Sequence, residues 1–133
     1  MKGLGTTLLV LLPVSALAAG GIDVTRGPDS TVYGSCVPSL SVRNTSDETI
    51  DYLQVDVVLE LADGTRRTVE LKSAYREGVL YPIAPGAGAT LRQHLDTSRA
   101  TGVQCSEIKS RTFGSAICEV KGKACASTVS VHP

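Results

Sequence analysis

The residues with the widest chemical reach in this chain are four cysteines and two histidines. Cys118 and Cys125 stand on either side of a Lys-Gly-Lys tip in "ICEVKGKAC", a spacing open to three readings: a metal clip, a redox pair or a covalent staple. Structural zinc sites favour cysteines about two to four residues apart, backed by further cysteine or histidine ligands at similar local spacing. Here the intervening run is longer, Cys36 and Cys105 stand alone, and neither His94 nor His132 has a close partner. The CxxC pair of thiol oxidoreductases is absent. The staple is the reading that remains.

Other chemistries fare no better. A hydrolytic triad needs a base beside a nucleophile, and neither His94 nor His132 lies in a nucleophile-elbow motif. His94 alternates with Leu95 on the polar side of its strand, and His132 adjoins Pro133 at what reads as a frayed end. The acidic residues of "SDET" and "DVVLE" belong to a polar loop and the outer face of a strand. "APGAGA" leads into a strand, whereas a phosphate loop must open a helix. Asn44 begins "NTS", a glycosylation sequon, but its setting reads as a turn asparagine. No catalytic, cofactor-binding or metal-ligating set emerges, so the expectation is a non-enzymatic protein without a cofactor.

The compartment is read from residues 1–18, "MKGLGTTLLVLLPVSALA". Lys2 gives a positive start, Leu8 to Leu12 form an unbroken apolar run, Pro13 ends it, and Ala16-Leu17-Ala18 forms a small-x-small cleavage site. The run is much shorter than the roughly 20 residues that cross a bilayer. A signal peptide cleaved after Ala18 is expected, with release to the periplasm or outside the cell and no stable membrane insertion. Residues 19–133 then make one domain, too short for a second core. Of 13 basic and 13 acidic residues the leader takes Lys2, which leaves a formal charge of −1. Neither sign forms a block, which argues against a nucleic-acid partner. With no Trp and one Phe, the core must be built from small aliphatic residues. Four cysteines behind a signal peptide then read as two stabilising disulfides.

Periodicity sets the fold class. In "TIDYLQVDVVLEL", Leu53, Val55, Val57, Leu59 and Leu61 fall on one face and Gln54, Asp56 and Glu60 on the other, the alternation of a half-buried strand. Asp63-Gly64 supplies a hairpin turn into "TRRTVELK". Upstream, "TVYGSCVPSLSVRN" alternates from Val32 to Val42, and "NTSDET" connects it to the long strand, so three consecutive antiparallel strands are expected. "GATLRQHLD", "EIKSRTFGSAICEV" with a bulge or bend at Gly114, "ACASTVSV" and a weak first strand around "GIDVTR" bring the count to about seven. Helical periodicity is absent beyond a single short turn in "TSRATGVQC". The fold class is all-β: an immunoglobulin-like or fibronectin III-like antiparallel sandwich with two disulfides.

This frame places the cysteines. Cys118 and Cys125 sit symmetrically about Lys121-Gly122 and face each other across the last two strands, leaving Cys36 for Cys105. The segment "SAYREGVLYPIAPGAG", residues 73–88, fits no regular strand. Tyr75, Val79, Leu80, Tyr81 and Ile83 form a candidate partner surface, because tyrosines offer large contact area at low entropic cost. The competing reading is that Leu80 and Ile83 plug the open end of the sandwich. The last strand, "ACASTVSV", has no charge and no Pro before Pro133, so an edge at residues 124–131 invites a homodimer by strand pairing or exchange.

The signal peptide, "YGSC", "VRNTSDETIDYLQVDVVLELADG" and "CEVKGKAC" together resemble the interleukin receptor mimic protein A (IrmA) family of small secreted bacterial proteins, over most of the chain after the leader. The resemblance implies a fibronectin III-like fold, strand-exchanged dimers and non-catalytic binding of host cytokine-type or receptor proteins. It supplies no motif of binding residues. The sequence therefore points to a secreted protein-binding module, the alternative being a structural or accessory immunoglobulin-like module of the bacterial envelope.

Overall fold

The computed structural model describes residues 20–73, 81–93 and 102–132. The signal-peptide and cleavage-site expectations, and those for Tyr75, Val79, Leu80 and His94, lie outside these residues. Ten strands occur among those described: β1 (Gly21–Arg26), β2 (Ser30–Val32), β3 (Ser35–Val37), β4 (Ser39–Asn44), β5 (Tyr52–Leu61), β6 (Arg66–Lys72), β7 (Gly88–Arg92), β8 (Ile108–Val120), β9 (Lys123–Ala124) and β10 (Thr128–His132). A short 3₁₀ turn, Cys105–Glu107, precedes β8.

Alternation in β5 does what its sequence requires. Leu53, Val55, Val57, Leu59 and Leu61 are all buried in one core, where Leu71 of β6 joins them. Facing them from the other layer are Ile22 and Val24 of β1, Leu40 and Val42 of β4, and Leu91 of β7. Each such side chain contributes about 1.5–3 kcal/mol by leaving water, and the absence of large aromatics is offset by the number of aliphatics. Hydrogen-bonded neighbours run β10-β1-β4-β7-β6-β5-β8-β9, an eight-stranded curled sheet, and β2 with β3 forms a separate two-stranded one. The link between β6 and β7 is one residue pair, Lys72 with Arg92. The curl therefore works as two layers, β10-β1-β4-β7 against β6-β5-β8-β9, which is the expected sandwich.

Several strand expectations need correction. The run from Val32 to Val42 is broken by a tight β2–β3 hairpin at Tyr33 (φ 49°) and Gly34 (φ 72°), then resumes as β4 after Pro38. Positive φ at both central residues gives the twist a two-residue hairpin needs, but Tyr is a poor residue for it. Second, β4 does not neighbour β5. It pairs with β1 and β7, and the chain crosses between layers through residues 45–51. Asn44 fixes that crossing. Its amide nitrogen donates to the carbonyls of Glu48 (2.7 Å) and Ile83 (2.9 Å), and its oxygen accepts from the N–H (3.0 Å) and hydroxyl (2.6 Å) of Ser46. With zero exposure and both amide hydrogens engaged, Asn44 fixes the turn that follows β4, as its turn reading expects.

Both disulfides join the expected pairs. Cys36 bonds Cys105, tying β3 to the 3₁₀ turn, and Cys118 bonds Cys125 beside a hairpin whose tip is Lys121 (φ 53°) and Gly122 (φ 79°). That hairpin is far shorter than expected, since only Glu119 and Val120 pair with Ala124 and Lys123. After Ser127 the chain leaves β8 for the opposite layer, where β10 runs parallel to β1. Val129 and Val131 there lie beside Ile22 and Val24, so the crossing lets two valines extend the buried face of β1. His132 is the last residue of β10, paired with Thr25, and so is held in a strand instead of a frayed end.

Candidate binding surface

The departure of β10 leaves β8 exposed. This strand is 13 residues long. Along one side β5 pairs with it from Leu61 with Ile108 to Tyr52 with Glu119. Along the other, β9 covers only its last two residues. The backbone from Ile108 to Ile117 thus presents an edge that no described strand occupies. The N–H of Cys125 donates to the carbonyl of Cys118 at 3.0 Å, so the carbonyl of Cys118 points away from β5. Two residues earlier, Ala116 points its own N–H and C=O to the same open side, by the two-residue period of a strand.

Both faces of this edge carry apolar side chains in water. Register assigns Phe113 to the core side, opposite Val57, and Ile117 to the outer side, opposite Gln54. Phe113 is 39% exposed and Ile117 46%, high values for large hydrophobic residues in a paired strand. Gly114 interrupts the register as expected: Phe113 pairs Val57 and Ser115 pairs Asp56, leaving Gly114 as the extra residue of a bulge. A side chain there would meet the Asp56 carbonyl oxygen at 3.3 Å, a crowding glycine avoids.

One charge of β8 is tightly paired. Arg111 lies on the core side, and its guanidinium grips Asp29 through two bonds of 2.7 Å, with only 9% of its side chain exposed. These charged hydrogen bonds, with help from Arg26, hold the Asp29 carboxyl below its ordinary range. On the outer face, the Tyr52 hydroxyl donates to Gln54 (2.6 Å), Gln54 donates to Asp56 (3.0 Å), and Ser115 donates to Asp56 (3.2 Å). Burial, then the negative charges of Glu70, Glu119 and Asp56, push the Tyr52 phenol upward. At the crossing, Ser127 donates to Glu48 and lowers its carboxyl.

The remaining expected surface divides. Tyr81 is exposed, whereas Ile83 is 2% exposed and bridges Ile50 through two backbone hydrogen bonds, Ile50 N–H to Ile83 C=O (3.0 Å) and the reverse (2.8 Å). Ile83 therefore belongs to the core cluster and not to a contact surface. Asp29, Cys36 and Cys105 come close enough to suggest a metal site. The donor set does not fit one: both sulfurs are spent in a disulfide and the carboxylate is held by Arg111. Sequence reasoning missed the β8 edge, and Phe113 gave the one hint as the lone phenylalanine in a strand otherwise rich in small polar residues.

Fold and edge together define an all-β, disulfide-linked sandwich with an incompletely paired strand. Among solved structures the chain is similar to IrmA from Escherichia coli, with a TM-score of 0.57 over 86% of this chain and 95% of that one. At 13% identity, this likeness concerns the fold. No family model matches the chain, and no curated protein matches it significantly.

Proposed function

We infer that this protein is an exported, non-enzymatic binding module that takes an extended segment of a partner protein along the open edge of β8. The observation that carries this reading is the mismatch in length between β8 and β9, which leaves backbone donors and acceptors unpaired beside exposed Phe113 and Ile117. Main-chain pairing supplies affinity in such strand addition, and flanking apolar side chains supply selectivity. Two disulfides favour an oxidising compartment, periplasmic or extracellular. Among the described residues no helix is long and apolar enough to cross a membrane. Host cytokine-type or receptor proteins are the partner class that the resemblance suggests. A second copy is a further partner, since β10 forms the other end of the sheet and includes residues 128–131, half of the stretch 124–131.

The decisive experiment uses the oxidised protein as bait in host fluid and compares it with Ala116→Pro. Proline is tolerated where the lost N–H faces away from the neighbouring strand, so this change blocks the edge and spares β5 pairing. Capture of a defined protein by the parent and its loss with Ala116→Pro is expected. Equal capture by both sinks the edge assignment. Light scattering on Val129→Pro tests self-association at β10 in parallel, where a dimer that survives the change removes that interface.

A further inference from the structure

A second feature lies where the two layers part. Beside the Lys72 with Arg92 pair and the Cys36–Cys105 disulfide, the described residues form an indentation lined in part by Cys36 and Thr68. It encloses about 280 Å³. Leu59, Val69, Val103 and Ile108 supply apolar walls, and Arg67 and Gln93 add polar groups. Register explains the arginine. Arg67 lies directly opposite Leu59, and Val69 opposite Val57, so Arg67 occupies the core-facing row of β6. It forms no salt bridge with any described residue, and its charge helps only slightly to lower the Asp63 carboxyl at the turn. The neighbouring Arg66, one residue along and on the outer face, pairs with Glu60 instead.

Arg67 is exposed at the mouth of this recess, so its guanidinium stays hydrated and open to an anion, and an apolar recess beside it is complementary to a molecule with a hydrocarbon body and a single acidic head. We propose that this cavity binds a short-chain aliphatic carboxylate, its hydrocarbon between Leu59, Val69, Val103 and Ile108 and its carboxylate on Arg67. At roughly 30 Å³ per water-sized group the space holds about nine such groups, which suits a chain of about six to eight carbons. Gln93 offers amide hydrogens to the same head. The site is separate from the β8 edge, so occupancy of one does not depend on the other.

The test is a methyl NMR titration of the oxidised protein with butanoate, hexanoate and octanoate, alongside 1-octanol. Shifts are expected at Leu59, Val69, Val103 and Ile108, with affinity rising about fourfold for each added methylene until the cavity is full. Arg67→Glu, at an exposed position, should weaken octanoate at least about tenfold and leave 1-octanol within about twofold. Absence of saturable shifts at those four methyl residues overturns the site. Octanol binding the parent as tightly as octanoate, or Arg67→Glu losing neither, overturns the carboxylate assignment.

Discussion

Replacing Asn44 with Ala should cost this small domain a large part of its stability. The change removes four hydrogen bonds, but their partners are not equally stranded. The Ile83 carbonyl keeps the N–H of Ile50, and the Ser46 hydroxyl can turn to the Glu48 carbonyl, now 3.4 Å away. The Ser46 N–H loses its acceptor inside the protein. With about 1 kcal/mol for each net bond lost and about 1–3 for a buried group left unsatisfied, the expected loss is about 3 kcal/mol. That corresponds to a melting temperature lower by about 12–15 °C. Asn44→Asp refines the test. Its carboxylate keeps the bonds from Ser46 but turns an oxygen toward the two carbonyls that Asn44 served. Burial and those carbonyls disfavour the charge, so the folded-state pKa of the new aspartate lies above its unfolded value. Stability is then lost as pH rises through the folded pKa, and Asn44→Asp should be closer to the parent at pH 4 than at pH 7. Urea unfolding followed by circular dichroism under oxidising conditions measures both variants. A loss below about 0.5 kcal/mol for Asn44→Ala, or a pH-independent gap for Asn44→Asp, refutes the account of the crossing.

Three further outcomes follow from the same framework. The Cys36–Cys105 bridge closes a much longer loop than Cys118–Cys125, so in the chain-entropy model its double Ser replacement should cost about 4.4 kcal/mol against about 2.5, and equal losses in chemical denaturation contradict that ordering. The lowered carboxyl of Asp29 adds stability that is present above its ordinary value of 3.8 and is lost as pH falls through its lower folded value. Asp29→Asn should therefore show a shallower fall in stability below about pH 4, at a cost near 2 kcal/mol at pH 7; an unchanged acid-unfolding curve rejects the linkage. Tyr33 stands at φ 49°, where asparagine is better tolerated, so Tyr33→Asn should raise stability by about 1 kcal/mol, and a loss would mean that the exposed ring makes contacts beyond the hairpin.

Local patterns were the legible part of this fold. Alternation from Leu53 to Leu61 identified β5 and its buried face because a strand exposes only one choice of row to a core. The tip at Asp63-Gly64 was readable from a dipeptide that accepts positive φ, and the one at Lys121-Gly122 from the symmetry of Cys118 and Cys125 about it, which placed one disulfide directly. Tyr33-Gly34 was passed over because Tyr is not a residue that announces such a turn. Layer assignment was harder. Nothing in "NTSDET" distinguishes a hairpin from a crossing, and the answer lies in Asn44 reaching Ile83, 39 residues away. The free edge of β8 was illegible for a related reason: it depends on β10 finding β1 at the other end of the chain, a parallel pairing that no local signal encodes.

The Cys36–Cys105 bond has a consequence for endurance against proteases. These residues are separated by 69 positions, and β4, β5, β6 and β7 all lie between them. A protease that cuts the chain once anywhere between residues 37 and 104 produces two fragments that remain covalently joined. Interlayer packing then only has to hold together pieces that cannot diffuse apart, and a nicked molecule can keep its β8 edge in place. On a non-reducing gel such a product should migrate as one species and separate into two once thiol is added.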